Sequence, residues 1–403
     1  MVIPEQGIDP GSVDRSSGAR AVTAAVTAVL PVFLVAALAV QIREDLSFGT
    51  AALGAVVATY FVTGALTSVP LGQVVERIRA GRAMALAAST SAAAMLAASL
   101  SRSWVQLAAA LLLAGLANAM AQPAANLLLS DSIPTRRLGL AFGIKQSCVP
   151  LAALLGGLAV PTIALVVGWR WALALAGVLT AGYAAWLWLR HRAEGGARSP
   201  RTGTLRDSEA AVSSLMFLTV GGFLGAAAAT SLGAFLVDSA VATGFRPSTA
   251  GWLYAAMAWG TVTSRVALGW VVDRAPTRSR FGVIALLLSV GALGYALLAL
   301  QRPGLFLVGA TLGFVVGWAW TGIFHYAVVT WYRRSPAAAT GLAQTGLSLG
   351  AGIGPLLFGI LVEQASYGAA WLTAGGVSLL AALTVLGARS HLRAHRRWPV
   401  DES

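Results

Sequence analysis

Long apolar runs alternate with short polar or basic connectors from one end of the 403-residue chain to the other. A run of about 20 apolar residues, rising 1.5 Å each, crosses the hydrocarbon of a bilayer as a helix. Helix is the default form there because it satisfies every backbone donor and acceptor within the segment. The pattern predicts twelve spans, near residues 21–42, 48–71, 83–100, 104–129, 139–160, 170–189, 212–237, 249–270, 282–300, 304–330, 337–361 and 369–388. The first run resembles a secretory leader, with Ala37-Leu38-Ala39 in the place of a cleavage site. It is longer than a leader's apolar core, and its removal would leave eleven spans, so it is read as a retained helix.

Composition supports this reading. The chain is 57% hydrophobic and only 11% charged, where a soluble domain carries about 25% charged residues. Its 45 glycines are of a kind that membrane helices tolerate. A single cysteine, Cys148, excludes an internal disulfide. The net charge of +13 would ordinarily suggest nucleic acid. Here the basic residues sit in short clusters between apolar runs, which is how topology is signalled, so no nucleic-acid partner is expected. If the N-terminus is cytoplasmic, 21 of the 28 basic residues fall in inner segments, five in outer loops and two inside spans. By the excess of basic residues on cytoplasmic loops, both termini are expected inside. The location expected is the cytoplasmic (inner) membrane, crossed many times.

The chain is divided by a polar segment, 190–211, rich in Gly, Ser and Arg and without apolar periodicity. This gives an N-terminal tail 1–20, a six-helix bundle 21–189, a linker 190–211, a second bundle 212–388 and a C-terminal tail 389–403. The two bundles echo each other. Leu71-Gly72-Gln73-Val74-Val75-Glu76-Arg77 after span 2 matches Leu268-Gly269-Trp270-Val271-Val272-Asp273-Arg274 after span 8 at five of seven positions. Gly139-Leu140-Ala141 matches Gly341-Leu342-Ala343, and Trp169 matches Trp371. Partners are separated by six helices, so the halves share one topology. Parallel six-helix repeats with a site between them are a transporter architecture.

With these motifs the chain resembles the major facilitator superfamily along its whole length. The doubled Gly-x-x-x-[Asp/Glu]-Arg loop is similar to that family's signature between helices 2 and 3 and its weaker echo between helices 8 and 9. The resemblance implies an all-α membrane protein of twelve transmembrane helices in two parallel six-helix repeats, of bacterial type, leaning to the cyanate and organic-anion branch. It also implies a conformational latch, carried here by Gly72, Glu76, Arg77, Gly269, Asp273 and Arg274. Some family features are altered. Ile78-Arg79-Ala80 intervene before Gly81-Arg82, Leu111 and Ala114 stand where helix 4 often carries Arg and Gln, and the Gly-Pro of the antiporter motif is missing from helix 5.

Ionisable residues inside a span are costly, and so mark function. Three qualify, Lys145, Arg265 and His325, while all fifteen acids fall in tails, loops or span ends. Lys145 is the only lysine and lies roughly 8 Å from the middle of its span. Asn118, Gln122 and Asn126 share one face of helix 4, and Gln344 lies at similar depth in helix 11. The candidate cavity therefore comprises Lys145, Gln122, Asn118, Gln344, Arg265, Trp318 and Trp320. His325 is the candidate for proton coupling, since imidazole titrates near neutrality. The glycines Gly346, Gly350 and Gly354 form a packing stripe on helix 11, and Gly346-Leu347-Ser348-Leu349-Gly350 is not a hydrolase elbow, which needs a strand–turn–helix setting.

A cationic interior predicts a secondary or facilitative carrier of a small organic or inorganic anion by alternating access, with a proton or ion gradient as possible drive. The alternative is efflux of hydrophobic drugs or metabolites. A receptor, a sensor or an embedded enzyme is disfavoured. The chain has no soluble output domain, no His-Glu-x-x-His ligand pair and no Gly-Lys-[Ser/Thr] phosphate loop. No catalytic residue, metal or cofactor is expected. The expected partners are a small-molecule substrate and the lipid bilayer, with the chain acting as a monomer.

Overall fold

The computed structural model describes residues 15–78, 80–132, 144–193, 209–274, 280–331 and 336–395. Most of the linker and the 133–143 connection lie outside the described residues. Twelve membrane-length segments follow in order. Helix α1 runs over Arg15–Ala37 and resumes as Ala39–Leu46. After it come α2 (Thr50–Ile78), α3 (Ala80–Ser99), α4 (Trp104–Ser132), α5 (Cys148–Ala159, with a π-helical turn Val160–Ala164) and α6 (Trp169–Ala193). The second set is α7 (Glu209–Ala242), α8 (Pro247–Arg274), α9 (Arg280–Ala299), α10, α11 (Pro336–Gln364) and α12 (Tyr367–His395). Helix α10 is composite, running Pro303–Ala310, Thr311–Val316, Gly317–Ala319 and Trp320–Trp331.

Ten of these segments are long and apolar enough to cross a membrane. The other two, α3 and α8, have the length but not the hydropathy. Helix α3 is built largely from Ala, Ser and Thr, and α8 carries Arg265 with several Ser, Thr and Trp residues. Most helices extend a few residues beyond the sequence-predicted spans, because a helix continues into the headgroup layer where its side chains turn polar. Large apolar side chains such as Leu179, Leu286, Leu293 and Leu383 stand exposed on the outer face, as lipid-facing positions should.

The two six-helix repeats are visible in equivalent hydrogen bonds. Trp169 at the start of α6 donates from Nε1 to Asp45 at the end of α1 (3.2 Å), and Trp371 at the start of α12 donates to Ser239 in α7 (2.9 Å). Tyr60 of α2 donates to the Ala28 carbonyl of α1 (2.9 Å), and Tyr254 of α8 to the Gly233 carbonyl of α7 (2.7 Å). All four rings are buried. Each bond gives an otherwise unsatisfied polar tip a partner, which burial in hydrocarbon requires.

The seam between the repeats is tight at the end remote from Arg15 and His395, here called the far end. There α2 lies on α11 and α5 on α8 through glycines. A Cβ at Gly157 would stand 2.6 Å from the Ala255 nitrogen and 2.8 Å from the Gly251 carbonyl, so only glycine permits that approach. Gly54 and Gly359 join α2 and α11 in the same way, a Cβ at either standing 2.4 Å from a carbonyl oxygen of the other helix, and further along Gly352 faces the Val62 side chain. The glycine stripe of α11 also packs as expected. Gly346, Gly350 and Gly354 press on the backbone of α7 at Thr219, Phe223 and Ala227. One turn beyond Val62, Leu66 is 72% exposed, and Gln344 and Thr345 on the facing helix are exposed as well. The seam therefore parts toward the terminal end.

A polar clasp reinforces the far end. Arg43 of α1 pairs with Asp238 of α7 at 2.5 Å, and Tyr367 of α12 donates to the same carboxylate. Arg43 also donates to the Phe48 carbonyl (3.3 Å). Across the same end, Thr50 donates to the Gly359 carbonyl (3.3 Å) and the Ala51 amide to Glu363 (2.9 Å). The Asp238 side chain is only 8% exposed, so removing its charge strands Arg43 and weakens closure. In purified protein bearing Cys148→Ser and Val241→Cys, adding Asp238→Asn is expected to raise maleimide labelling of position 241 about fivefold or more, as a charged hydrogen bond is lost. An unchanged rate would show that the clasp contributes nothing to closure.

Candidate functional site

Midway along the seam, side chains from five helices meet in one polar network. Asn118 and Gln122 lie one turn apart on α4, and Gln122 Nε2 donates to Asn118 Oδ1 (3.1 Å). This fixes the Gln122 amide so that its Oε1 accepts a bond from Lys145 Nζ. Lys145 precedes α5 in the helical residues 144–146 and is 4% exposed. Beside it, Gln146 Nε2 meets His325 Nδ1 of α10 (3.1 Å), and His325 Nε2 meets Gln344 Oε1 of α11 (2.8 Å). Gln344 in turn donates to Ser348 Oγ, one turn along α11 (3.2 Å).

Arg265 of α8 completes the network from the other side. It is 7% exposed. Its Nη1 donates to the Gln146 carbonyl (2.6 Å), and its Nη2 to Thr321 Oγ1 (2.7 Å) and the Trp318 carbonyl (3.3 Å). Its Nε is buried without a partner, as is Asn126 Oδ1 on α4. Neither Lys145 nor Arg265 has a carboxylate partner among the described residues. Two buried cations thus rest on neutral amides, hydroxyls and carbonyls. Such acceptors offset only part of the cost of removing a charge from water. The arrangement is suited to an anion, whose charge would complete the compensation.

The irregular backbone of α10 belongs to this site. A π-helical turn at Thr311–Val316 and a tighter turn at Gly317–Ala319 break the regular hydrogen-bond ladder. Side chains on one face of α8 bond to the carbonyls of this stretch. Thr261 donates to Phe314 (2.8 Å), Ser264 to Val315 (2.7 Å) and Arg265 to Trp318. Non-helical backbone at membrane depth is tolerated where protein groups satisfy it in this way. On the far-end side, the rings of Phe33, Phe314 and Trp318 form an aromatic floor, with Phe314 and Trp318 edge-to-face at 4.7 Å.

Six of the sequence-predicted residues, Lys145, Gln122, Asn118, Gln344, Arg265 and His325, are brought together here. Trp318 joins through its carbonyl and the aromatic floor. Trp320 is corrected from cavity to core. Its ring is 1% exposed and packs against Phe324 and Gly225, because it points from the opposite face of the broken helix. Gln146, Thr321 and Ser348 were not singled out as site residues. Only the adjacency of Gln146 to the sole lysine marks it in sequence. Of the predicted latch, Arg77 is exposed, and a Cβ at Gly72 would meet nothing within 4 Å among the described residues. The side chains of Glu76, Asp273 and Arg274, and the surroundings of Gly269, lie outside the described residues.

The family model described as Major Facilitator Superfamily matches residues 21–327 and 218–401. Among solved structures, the chain is similar to a bacterial homolog of the human lysosomal transporter Spinster in an inward-facing, unoccupied conformation. The TM-score is 0.73 at 16% identity, covering 98% of this chain and 100% of that one. The inward-facing, occupied form of that homolog matches with a TM-score of 0.69 at 16% identity, covering 94% of this chain and 96% of that one. No curated protein matches at a significant level.

The uncompensated cations have a measurable consequence. Replacing a buried charge by an apolar side chain of similar volume is often neutral or stabilising. Lys145→Met is therefore expected to leave the thermal unfolding midpoint of the ligand-free protein unchanged or to raise it by about 2 °C. A clear fall would mean that the single bond to Gln122 outweighs the desolvation of the ammonium group.

Proposed function

Because the chain belongs to the Major Facilitator Superfamily, we propose that this multi-pass membrane transporter carries a small organic or inorganic anion across the cytoplasmic membrane by alternating access. The observation that carries the proposal is the pair of buried cations, Lys145 and Arg265, bonded only to neutral groups within the network. In a medium of low dielectric, opposite charge is attracted strongly and specifically to such a pair. Asn118, Gln122 and Gln344 orient the cations and supply further polar contacts, and Trp318 closes the site on the far-end side.

In this reading both termini are cytoplasmic, following the basic-residue bias. The sealed far end and parted terminal end then describe an inward-open state. The bundles 21–189 and 212–388 rock about the site, joined by the 190–211 linker. The doubled loop, Gly72-Glu76-Arg77 with Gly269-Asp273-Arg274, latches the terminal end when the far end opens. The chain acts as a monomer, since each monomer contains a complete site.

A ligand-induced thermal-shift screen of the purified protein tests the class of substrate. Formate, cyanate, succinate and inorganic phosphate would be set against amines and hydrophobic drugs. Stabilisation by an anion is expected, and stabilisation by hydrophobic drugs alone would favour an exporter instead. For the anion found, Lys145→Gln is expected to lower uptake into proteoliposomes about tenfold or more, the loss of one charge-assisted bond. Undiminished uptake would sink the assignment of Lys145 to the substrate.

A further inference from the structure

A cavity of about 470 Å³ lies at the far end, over the sealed seam. Its size falls within the range of small-molecule sites. Both halves build it. The N-terminal half supplies Arg43, Glu44 and Phe48 from the end of α1 and the turn after it. The C-terminal half supplies Asp238 and Val241 from α7 and Tyr367 from α12. No residue of the midway polar network lines it.

The polar groups of this cavity are not all spent. Arg43 and Tyr367 both donate to the same oxygen of Asp238, Oδ2. The other oxygen, Oδ1, takes no bond from the described residues, although Asp238 is only 6% exposed. It is not sealed from solvent, and it belongs to the cavity lining. A carboxylate oxygen so placed calls for a donor. Glu44 beside it is exposed, and its carboxylate is likewise unbonded among the described residues. Arg43 is the only basic side chain of the lining, and its Nε is given to the Phe48 carbonyl (3.3 Å). The lining therefore carries one negative charge in excess.

These features select a ligand. An anion would meet Glu44 and the free oxygen of Asp238. A calcium ion takes about six to eight oxygens and magnesium a near-ideal octahedron, more than two carboxylates provide. Among the described residues no group of three or more metal-binding side chains is placed to hold one. An ammonium ion meets the requirement with N–H donors alone. It can bond Asp238 Oδ1 and Glu44 while Oδ2 stays with Arg43 and Tyr367. The walls at Val40, Val241 and Val362 are apolar, and the rings of Phe48 and Tyr367 favour a cation beside them. The ligand that fits is a charged amine on an apolar body.

We propose that this cavity is a binding site for a small organic ammonium ion with an apolar body, and that the occupied site holds the far end shut. A ligand that touches both halves loses half its contacts when they part. Binding therefore favours the closed far end, and closure favours binding in equal measure. The ammonium ion acts from the far end without entering the midway network, where Lys145 and Arg265 repel like charge. Nothing in this site depends on what the midway network carries.

Calorimetric titration of the purified full chain with phenethylammonium, set against the uncharged phenethyl alcohol, tests the site. Saturable binding of the ammonium alone is expected. Glu44→Gln, a substitution at an exposed position, is expected to weaken it about tenfold or more, as a charge-assisted bond is lost. Val241→Trp, which fills the cavity, is expected to abolish it. No saturable binding, equal binding of the alcohol, or undiminished binding by Glu44→Gln overturns the site.

The holding role is tested in two further ways. Gly157→Val changes no lining residue, but its side chain forces α5 from α8 at the far end. It is expected to bind phenethylammonium about fivefold or more weakly, since closure now opposes a backbone clash. Equal affinity in the folded variant overturns the holding role. Should that variant fail to fold, nitroxide labels decide. They are placed at Arg102→Cys and Arg302→Cys, both exposed on far-end connections of opposite halves, in a Cys148→Ser background. With phenethylammonium bound, the distance between the labels is expected to settle on its shortest population. A longer distance on binding overturns the holding role.

Discussion

Two positive charges held in the membrane-embedded seam of this protein set the terms for what surrounds them. Lys145 and Arg265 are almost fully buried, and their partners are amides, hydroxyls and backbone carbonyls. A buried cation is tolerated only where donors and acceptors are disposed around it. The ordered amide pair Asn118–Gln122, the bridging Gln146, and the exposed carbonyls of the broken helix α10 are all consequences of that requirement. The same features leave the site incomplete without negative charge, and this is the basis for proposing an anion as its cargo.

Small residues and charged residues divide the work of closing the seam. At the far end, glycines bring α2 onto α11 and α5 onto α8 at backbone contact, and the Arg43–Asp238–Tyr367 clasp adds charge to the closure. Such contacts are strong when made and are lost as a unit when the helices separate, which favours two discrete arrangements over a continuum. Toward the terminal end the side chains of Leu66, Gln344 and Thr345 are exposed, and a Cβ at Gly72 would meet nothing within 4 Å among the described residues. The proposed latch residues beside it would engage in the opposite state.

Much of the fold was legible in the sequence because hydrocarbon imposes simple rules. Span length follows from bilayer thickness, and the repeat follows from the doubled Leu-Gly-x-Val-Val-acid-Arg loop and the Trp169–Trp371 pair. In the structure these tryptophans make equivalent bonds at equivalent corners. Helix ends were less legible. Arg43, Glu44 and Asp45 lie in the helical continuation of α1, yet hydropathy ends the span before them, since it reports the slab of lipid and not the length of the helix. The candidate site was legible in its ionisable residues, since an unpaired charge in an apolar run has few bland explanations. Gln146, Thr321 and Ser348 were not, because single polar residues in membrane helices are common and their direction depends on helix rotation. Trp320 failed for a related reason. Residues two apart point to opposite sides of a helix, so the side of α10 that carries Trp318 turns Trp320 into the core, and which side faces the site is set by packing.

The sequence by itself determined that this chain crosses a membrane twelve times in two like halves, and that its interior charge is positive. These are matters of composition and order, and local physics suffices to read them. Only the tertiary structure decided that Lys145, Arg265, His325, Gln122 and Gln344 share one network, that Asp238 reaches across to Arg43, and that the seam is shut at one end and parted at the other. Those facts depend on which faces of separate helices meet. That is set by close packing over distances in sequence that no local pattern spans.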